Sequence, residues 1–329
     1  MFSHSFSPSY QASKSSSVRC YIGNCLYLGM QPWPLTRHNL IPWMARGWML
    51  GNRASSINTG AMNVRGYCKS ALIDCLTSMH DRNKVKDFTR GLLSLEDRPV
   101  SRPRPVTASE LIKIAAVIDI RNPSDMQQMT IVTVCYGALL RGGTPCGDTL
   151  QVHHVVAEGG GVLRLDLHKI KTHRLIAGAV PCWLCPSTTT QRNAVPNGRL
   201  LDPALMLGTY LATTSLRDYP SAPLFPKLGP GGTPVLPLKP ISYGSWLKGF
   251  KALCTRAGIQ PRSLQALRAG GRTDLANQGL SEAMINKAGR WAPGSTASTL
   301  YNRPGIRLAL MVKGAHQREL ELAAASPRN

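Results

Sequence analysis

Residues 97–106 read DRPVSRPRPV, three prolines alternating with arginines. No helix or central strand runs through such a stretch. Each proline lacks a backbone donor and fixes its own φ, and it pushes the residue before it out of the helical region. Structure therefore has to be built on either side. Immediately afterwards, TASELIKIAAVI opens with Thr107 and Glu110 at capping-box spacing, the sign of a fresh helix start. A break followed by a new start marks a domain boundary. The expected organisation is a helical unit over 10–97, a Pro/Arg linker over 98–106, a second domain over 107–310 and a C-terminal tail over 311–329. The opening MFSHSFSPSYQASKSSSVR is Ser-rich and free of acids. Organellar leaders and disordered basic tails share that composition, and a disordered tail over 1–9 is expected.

The first unit reads as all-helical. PLTRHNLIPWMARGWML and INTGAMNVRGYCKSALIDCL both repeat apolar residues three or four apart, with basic residues between. Trp33, Trp43 and Trp48 are expected to anchor its core, since packing is the commoner use of tryptophan at helical spacing. In the second domain, Ser124 is the expected cap of a helix running to Leu140 and delivering Arg141 at its end. The period then falls to two. QVHHVVA, the turn EGGG and VLRLDLHKIK predict a hairpin with Leu163, Leu165 and Leu167 on one face; KTHR predicts a second turn into a third strand, LIAGAVPC. Asp202 and Pro203 form a cap and first-turn pair for a further helix. Residues 219–240 are rich in Pro and Gly and read as loop. Four short helices follow: 242–257, 263–278 and 281–288, stopped at Gly258, Gly279 and Gly289, and one around Tyr301. The fold class is thus mainly α with a small antiparallel β-sheet, an α+β domain preceded by an all-helical one.

Charge narrows the partners. The 329 residues contain 39 Lys plus Arg against 17 Asp plus Glu, a net charge of +22. No acid precedes Asp74, whereas seven basic residues do. Such an excess favours polyanions, nucleic acid first and anionic membrane second. A 43% hydrophobic content supports a proper core. No run of 18 apolar residues occurs, so no membrane span is expected. Nine irregularly spaced cysteines, with no secretory signal in view, read as reduced thiols. Cys182 and Cys185 have half of a zinc-site spacing without a second pair nearby, and neither metal nor cofactor is expected.

One stretch asks for an anion. In QALRAGGRTDLANQG, Arg268 stands among small residues, and a buried arginine needs an anionic partner. Arg141, Lys171, Arg268, Trp291 and Tyr301 together suit attack on a phosphodiester. Arginine forks hold the non-bridging oxygens, a lysine protonates a leaving oxygen, and a tyrosine hydroxyl serves as nucleophile. Singly, each residue has an ordinary structural reading.

The ordered stretches YGALLRGG, HKIKTHR, LQALRAGGRTDLANQGLSEAMINKAGRW and STLYNR resemble the tyrosine recombinase (phage integrase) superfamily, especially its retrotransposon-borne and algal or phage-like branch. The resemblance covers most of residues 10–310. It implies that the N-terminal helices form a core-binding domain that clamps DNA and that the second domain is catalytic. Arg141 would be the first phosphate-gripping arginine, Arg268 the second, and Lys171 the general acid, with Lys169 its rival. Trp291 would support the scissile phosphate, and Tyr301 would be the nucleophile of a 3′-phosphotyrosyl intermediate. The small residues after Arg268 would let the helix approach DNA. The implied partner is double-stranded DNA, bound by a homotetramer on paired sites, with the C-terminal tail docked on a neighbouring subunit or simply frayed. The implied setting is a mobile element, acting in the nucleus of a eukaryote or in the cytoplasm and nucleoid otherwise.

Three departures stand out. Gln265 occupies the place of the family's histidine, three residues before Arg268; it can donate a hydrogen bond but cannot move a proton near neutral pH. Thr144 stands where an acid is common, and the connection from Arg141 to the hairpin is short. A catalytically impaired DNA-binding derivative and a type IB topoisomerase-like relaxer therefore stay open as alternatives.

Overall fold

The computed structural model describes residues 8–76, 78–96, 104–146, 150–168, 179–291 and 306–325, with side chains described only from 10 and, in the last segment, from 311. The chain divides into two compact units, Met1–Ser101 and Arg102–Asn329.

The first unit contains α1 (Pro8–Tyr27), α2 (Arg37–Met49), α3 (Ala54–Ser70) and α4 (Met79–Ser94). The first helix begins inside the stretch expected as a tail. Helix α2 starts where the Thr36 backbone N–H donates to Asn39 Oδ1 at 2.9 Å, closing a side-chain cap. The fully buried aromatic is Tyr21, not a tryptophan. Trp33 and Trp43 stand against it at ring-centroid distances of 5.5 and 5.9 Å and stay half-buried at the core's margin, as does Trp48. Their size explains this: a tryptophan is highly but rarely fully buried. A Cβ at Gly60 would lie 2.7 Å from the Trp43 ring, so that glycine makes room for it.

The second unit is built around α6 (Pro123–Gly137). Every residue from Asp125 to Tyr136 is buried, as a helix enclosed on all sides requires. Its cap is Asn122, whose Oδ1 accepts from the backbone N–H groups of Ser124 and Asp125. Ser124, the expected cap, lies inside the helix. The helix also ends early, at Gly137, and Leu139 at φ 50° turns the chain away in the left-handed region. Arg141 therefore sits in the following loop. Around α6 lie α5 (Ala108–Ala116), α7 (Thr189–Asn193), α8 (Pro203–Thr213), α9 (Tyr243–Arg256), α10 (Gln265–Asn277), α11 (Glu282–Gly289) and α12 (Ile306–Ala325). The expected Thr107–Glu110 capping box opens α5, and Asp202 caps α8 at 3.0 Å.

One three-stranded antiparallel sheet, β1 (Val155–Ala157), β2 (Leu163–Leu167) and β3 (Val180–Leu184), packs in that order with Leu165 opposite both Val155 and Cys182. Leu165 and Leu167 are buried and Leu163 is half-buried. The third strand overlaps the expected LIAGAVPC at residues 180–182 and runs on to Leu184, residues 175–178 lying outside the described ones; both Cys182 and Cys185 are buried. The KTHR turn lies outside the described residues. The fold is mainly α with, among the described residues, this one small sheet.

Helices α9 and α10 stop as expected, with Gly258 at φ 67° and Gly279 at φ 74°. At α11 the expectation fails. Gly289 remains helical, and Arg290 takes the left-handed position at φ 55°. Gly289 is small for another reason: an added Cβ would run into the Trp291 ring. Helix α12 continues through Gly314. It lies on its own unit against α5, α10 and β3, burying Val312, Ala315 and Leu320. No described helix is long and apolar enough to cross a membrane.

Candidate functional site

The C-terminal end of α6 organises the site. Its last carbonyls have no intrahelical partners and carry the negative end of the helix dipole. Arg268, on the first turns of α10, is only 4% exposed and donates from Nη1 to Leu139 O at 2.6 Å and from Nη2 to Gly289 O at 2.7 Å. One side chain thus ties the end of α6 to the end of α11. Its guanidinium stacks on Trp291, with Cζ 4.1 Å from the ring centroid. Arg272, one turn later, stands 5.8 Å from the same ring and pairs with Glu282 at 2.6 Å.

Arg141 follows two residues after Leu139 and is half-buried. Gly142 makes its position possible. The glycine lies against Leu264, where any Cβ would collide, so the loop is seated directly on the start of α10. Thr144 closes the turn by donating its backbone N–H to Arg141 O at 2.8 Å.

The electrostatics are one-sided. Burial pushes the Arg268 proton affinity down to a pKa of about 9, helped by the positive charges of Arg290 and Arg141. Burial and Arg290 likewise lower Arg141. Elsewhere in this unit arginines meet carboxylates: Arg256 with Asp125, Arg262 with Glu110, Arg164 with Asp166. Among the described residues, neither Arg141 nor Arg268 forms such a pair. A buried guanidinium held by two carbonyl dipoles beside a second arginine, with no carboxylate paired to either Arg268 or Arg141 among the described residues, is an arrangement that an anion would stabilise.

The structure brings Arg141, Arg268 and Trp291 together. Gln265 is exposed at the first position of α10, three residues before Arg268. Lys171, its rival Lys169, and Tyr301 lie outside the described residues. The small residues after Arg268 have a different role from the one expected. A Cβ at Gly270 would run into Val106 O, and one at Gly271 into Tyr136 O. They allow α10 to lie against α6 and the segment before α5; they do not face outward. Further along α10, the Tyr136 hydroxyl donates to Asp274 Oδ2, and His316 of α12 reaches the same oxygen at 3.6 Å. Among the described residues no cluster of three or more His, Cys, Asp or Glu could hold a metal ion.

Arg290 was missed by the sequence reading. Its signal was its place beside Trp291 in AGRW, but only the left-handed turn after α11 shows where its side chain goes.

No protein-family model matches the chain, and no curated protein sequence matches it. Solved structures do. The integrase of the Tn1549 transposon bound to transposon right end DNA is 13% identical and superposes with a TM-score of 0.56, over 94% of this chain and 93% of that one. The same integrase in complex with circular intermediate DNA is 12% identical, with a TM-score of 0.55 over 94% of both chains. The likeness spans nearly the whole length: this chain has the tyrosine recombinase (integrase) fold.

Proposed function

We propose that the protein is a site-specific DNA recombinase that cuts and rejoins strands through a tyrosine. One observation carries this: Arg141 and Arg268, buried or half-buried and without a carboxylate, meet at the end of α6 in a chain with an integrase fold. Their natural counter-charge is a phosphodiester, whose two non-bridging oxygens match a pair of guanidinium forks.

The reaction follows from the residues. Tyr301 Oη attacks the scissile phosphorus and gives its proton to a solvent water. The bond from phosphorus to the 5′ oxygen breaks, and Lys171 gives that oxygen a proton. A 3′-phosphotyrosyl link and a free 5′ hydroxyl result. Attack by a 5′ hydroxyl of the partner strand reverses these steps and rejoins the DNA. The phosphodiester energy is kept in the link, so no external energy source is required. Arg141 and Arg268 hold the oxygens as negative charge builds on them, an effect worth about 10²–10³ in rate for one well-placed donor. Trp291 keeps the Arg268 guanidinium flat and dry. Double-stranded DNA is the partner, and a homotetramer on paired sites, encoded by a mobile element, is the setting that fits strand exchange.

Gln265 favours a second reading. An exposed glutamine at the first turn of α10 can donate a hydrogen bond to a phosphate but cannot shuttle a proton. On that reading the protein is a recombinase derivative that only binds DNA.

Covalent capture separates the two. Duplexes from the DNA flanking the gene are nicked beside the candidate scissile phosphate, and a denaturant-resistant adduct is sought. An adduct with the natural protein, lost in Tyr301→Phe, supports the recombinase. An adduct formed only by Gln265→His, with binding retained in the natural protein, supports the DNA-binding derivative. Tight binding with no adduct from any variant removes the support for catalysis.

A further inference from the structure

The first unit holds a groove that the reaction above leaves without a role. It runs between α1, α2 and α3 and has a volume of about 690 Å³, within the range of pockets that take small organic ligands. Ile57, buried, and Trp43, half-buried, are part of its apolar lining. Tyr27 and Leu50 line it as well and are 73% and 71% exposed, so large apolar groups face water there. Among the described residues that line the groove none is acidic, and Arg46 alone is a cation.

Arg46 is held in place and has donors to spare. Its guanidinium carbon stands 4.1 Å from the centroid of the Tyr27 ring, and Nη1 donates to Asn24 Oδ1 at 3.2 Å. Among the described residues that is its one side-chain hydrogen bond, and it meets no carboxylate. Asn24 is 7% exposed, and its Nδ2 has no hydrogen-bond partner. A buried amide donor left unpaired costs about 1–3 kcal/mol. Solvating a basic surface is the plain role for such an arginine, and it leaves that amide unpaired. An oxyanion at the groove wall answers both, since its oxygens accept from the guanidinium and from the amide. Tyr27 covers one face of the guanidinium, and an aromatic body would stack on the other.

We propose that this groove binds a small aromatic anion, its carboxylate or phosphate held by Arg46 and Asn24 and its ring set against Arg46 and Trp43. The site lies in the first unit alone and does not depend on the strand-transfer chemistry proposed for the second. Gly23 supports it. This glycine lies inside α1, lines the groove, and has nothing within 4 Å of an added Cβ. A glycine in a helix interior costs about 0.5–1 kcal/mol relative to alanine. Here that cost secures no close packing; it keeps the space at the groove open.

The test uses the full chain in low-salt buffer at neutral pH, titrated calorimetrically, with a melting curve for each variant. The probes are deoxyadenosine monophosphate and indole-3-acetate, each beside its neutral counterpart, deoxyadenosine or indole-3-acetamide. At least one anion should bind saturably and about tenfold more tightly than its neutral counterpart, the size expected for one charge-assisted fork. Which anion binds tells phosphate from carboxylate. In Arg46→Gln the preference for the anion should vanish. Gly23→Leu puts a better helix former into α1 and a side chain into the groove, so it should stay folded and lose binding. Should Gly23→Leu melt early, Arg46→Gln decides alone: a lost preference supports the site, and an unchanged one overturns it. Binding that survives Gly23→Leu unchanged places the anion elsewhere on a basic chain and overturns the groove. Binding lost in Gly23→Leu and unchanged in Arg46→Gln overturns the anion. No saturable binding of either probe to the natural protein overturns the proposal and leaves the recombinase reading untouched.

Discussion

The guanidinium of Arg268 lies 4.1 Å from the centroid of the Trp291 ring while its two Nη atoms hold carbonyls at the ends of α6 and α11. A cation stacked on indole in a largely desolvated place gains about 1–2 kcal/mol. Trp291→Ala removes that plate and lets water reach Arg268. The expected result is a ~5–30-fold slower formation of the covalent DNA adduct, the range that follows from those energies. Overall DNA affinity should change less, because most of it comes from phosphate contacts elsewhere on a strongly basic chain. Trp291→Phe should fall between the two. Comparing single-turnover adduct rates with filter-binding affinities reads both quantities; equal losses in rate and affinity would remove Trp291 from the site.

Gly270 and Gly271 face the α6 side of α10, and each excludes a Cβ because a backbone oxygen stands in its place. Gly271→Ala should therefore cost about 1–3 kcal/mol, as overpacking does. In a unit of this size that lowers Tm by roughly 5 °C. Gly208, inside α8, has nothing within 4 Å of an added Cβ. Gly208→Ala should instead raise stability by up to about 1 kcal/mol, the helix-propensity difference between the two residues. Two Gly→Ala changes of opposite sign, followed by thermal melting, test the packing directly.

These glycines also show how far the sequence could be read. Signals that operate within a few residues were legible: the Thr107–Glu110 box and the Asp202–Pro203 start are local hydrogen-bond patterns, and both occur. The order Arg141, Arg268, Trp291 was legible as motif spacing. What failed was of two kinds: competition between residues a few positions apart, and packing against partners distant in sequence. Asn122 outcompetes Ser124 as a cap because Pro123 takes the first helical position, leaving the N–H groups of Ser124 and Asp125 to the asparagine. Gly289 looked like a helix stop and is instead clearance for Trp291. The small residues around Arg268 looked outward and are packed inward, because only the fold places Val106 and Tyr136 against α10. The left-handed Leu139 and Arg290, which aim the arginine cluster, have no local signal at all.

Asp125, buried on α6, accepts from both Nη atoms of Arg256 at 2.7 Å and from the Asp119 backbone N–H at 3.1 Å. The Arg256 fork holds its carboxyl below the usual carboxylate range, against the opposing effect of burial. Because the native value is the lower one, the pair contributes fully above the unfolded carboxylate pKa of about 4. That contribution is lost as pH falls through the lower native value. Arg256 is 45% exposed, so solvent screens the pair. Asp125→Asn should cost about 1–2 kcal/mol at neutral pH, at the modest end for a partly buried pair. Denaturant titrations of both proteins from neutral pH down to about pH 2 should show their stabilities converging below about pH 4. A constant gap across that range would mean the loss is packing, not charge.

Helix α12 is tied to the arginine site through Leu139. Val312 and Ala315 bury themselves against Leu139, Leu275 and Ile285, and the Leu139 carbonyl is the one that holds Arg268. Ala315 is fully buried, so Ala315→Arg forces a charged side chain into an apolar cluster with no room for it. The helix should then leave its own unit, since an unpaired buried charge costs more than the contacts it displaces. Hydrogen exchange is the direct measurement. In the natural protein the α12 amides should exchange slowly; in Ala315→Arg they should exchange at near-unfolded rates, while those of α8 and α9 stay protected. Phosphate binding should weaken in the same variant, because the Leu139 turn loses the side chains packed beneath it. Fast exchange along α12 in the natural protein as well would mean that the helix does not rest on its own unit in solution, and a neighbouring subunit would become its docking site.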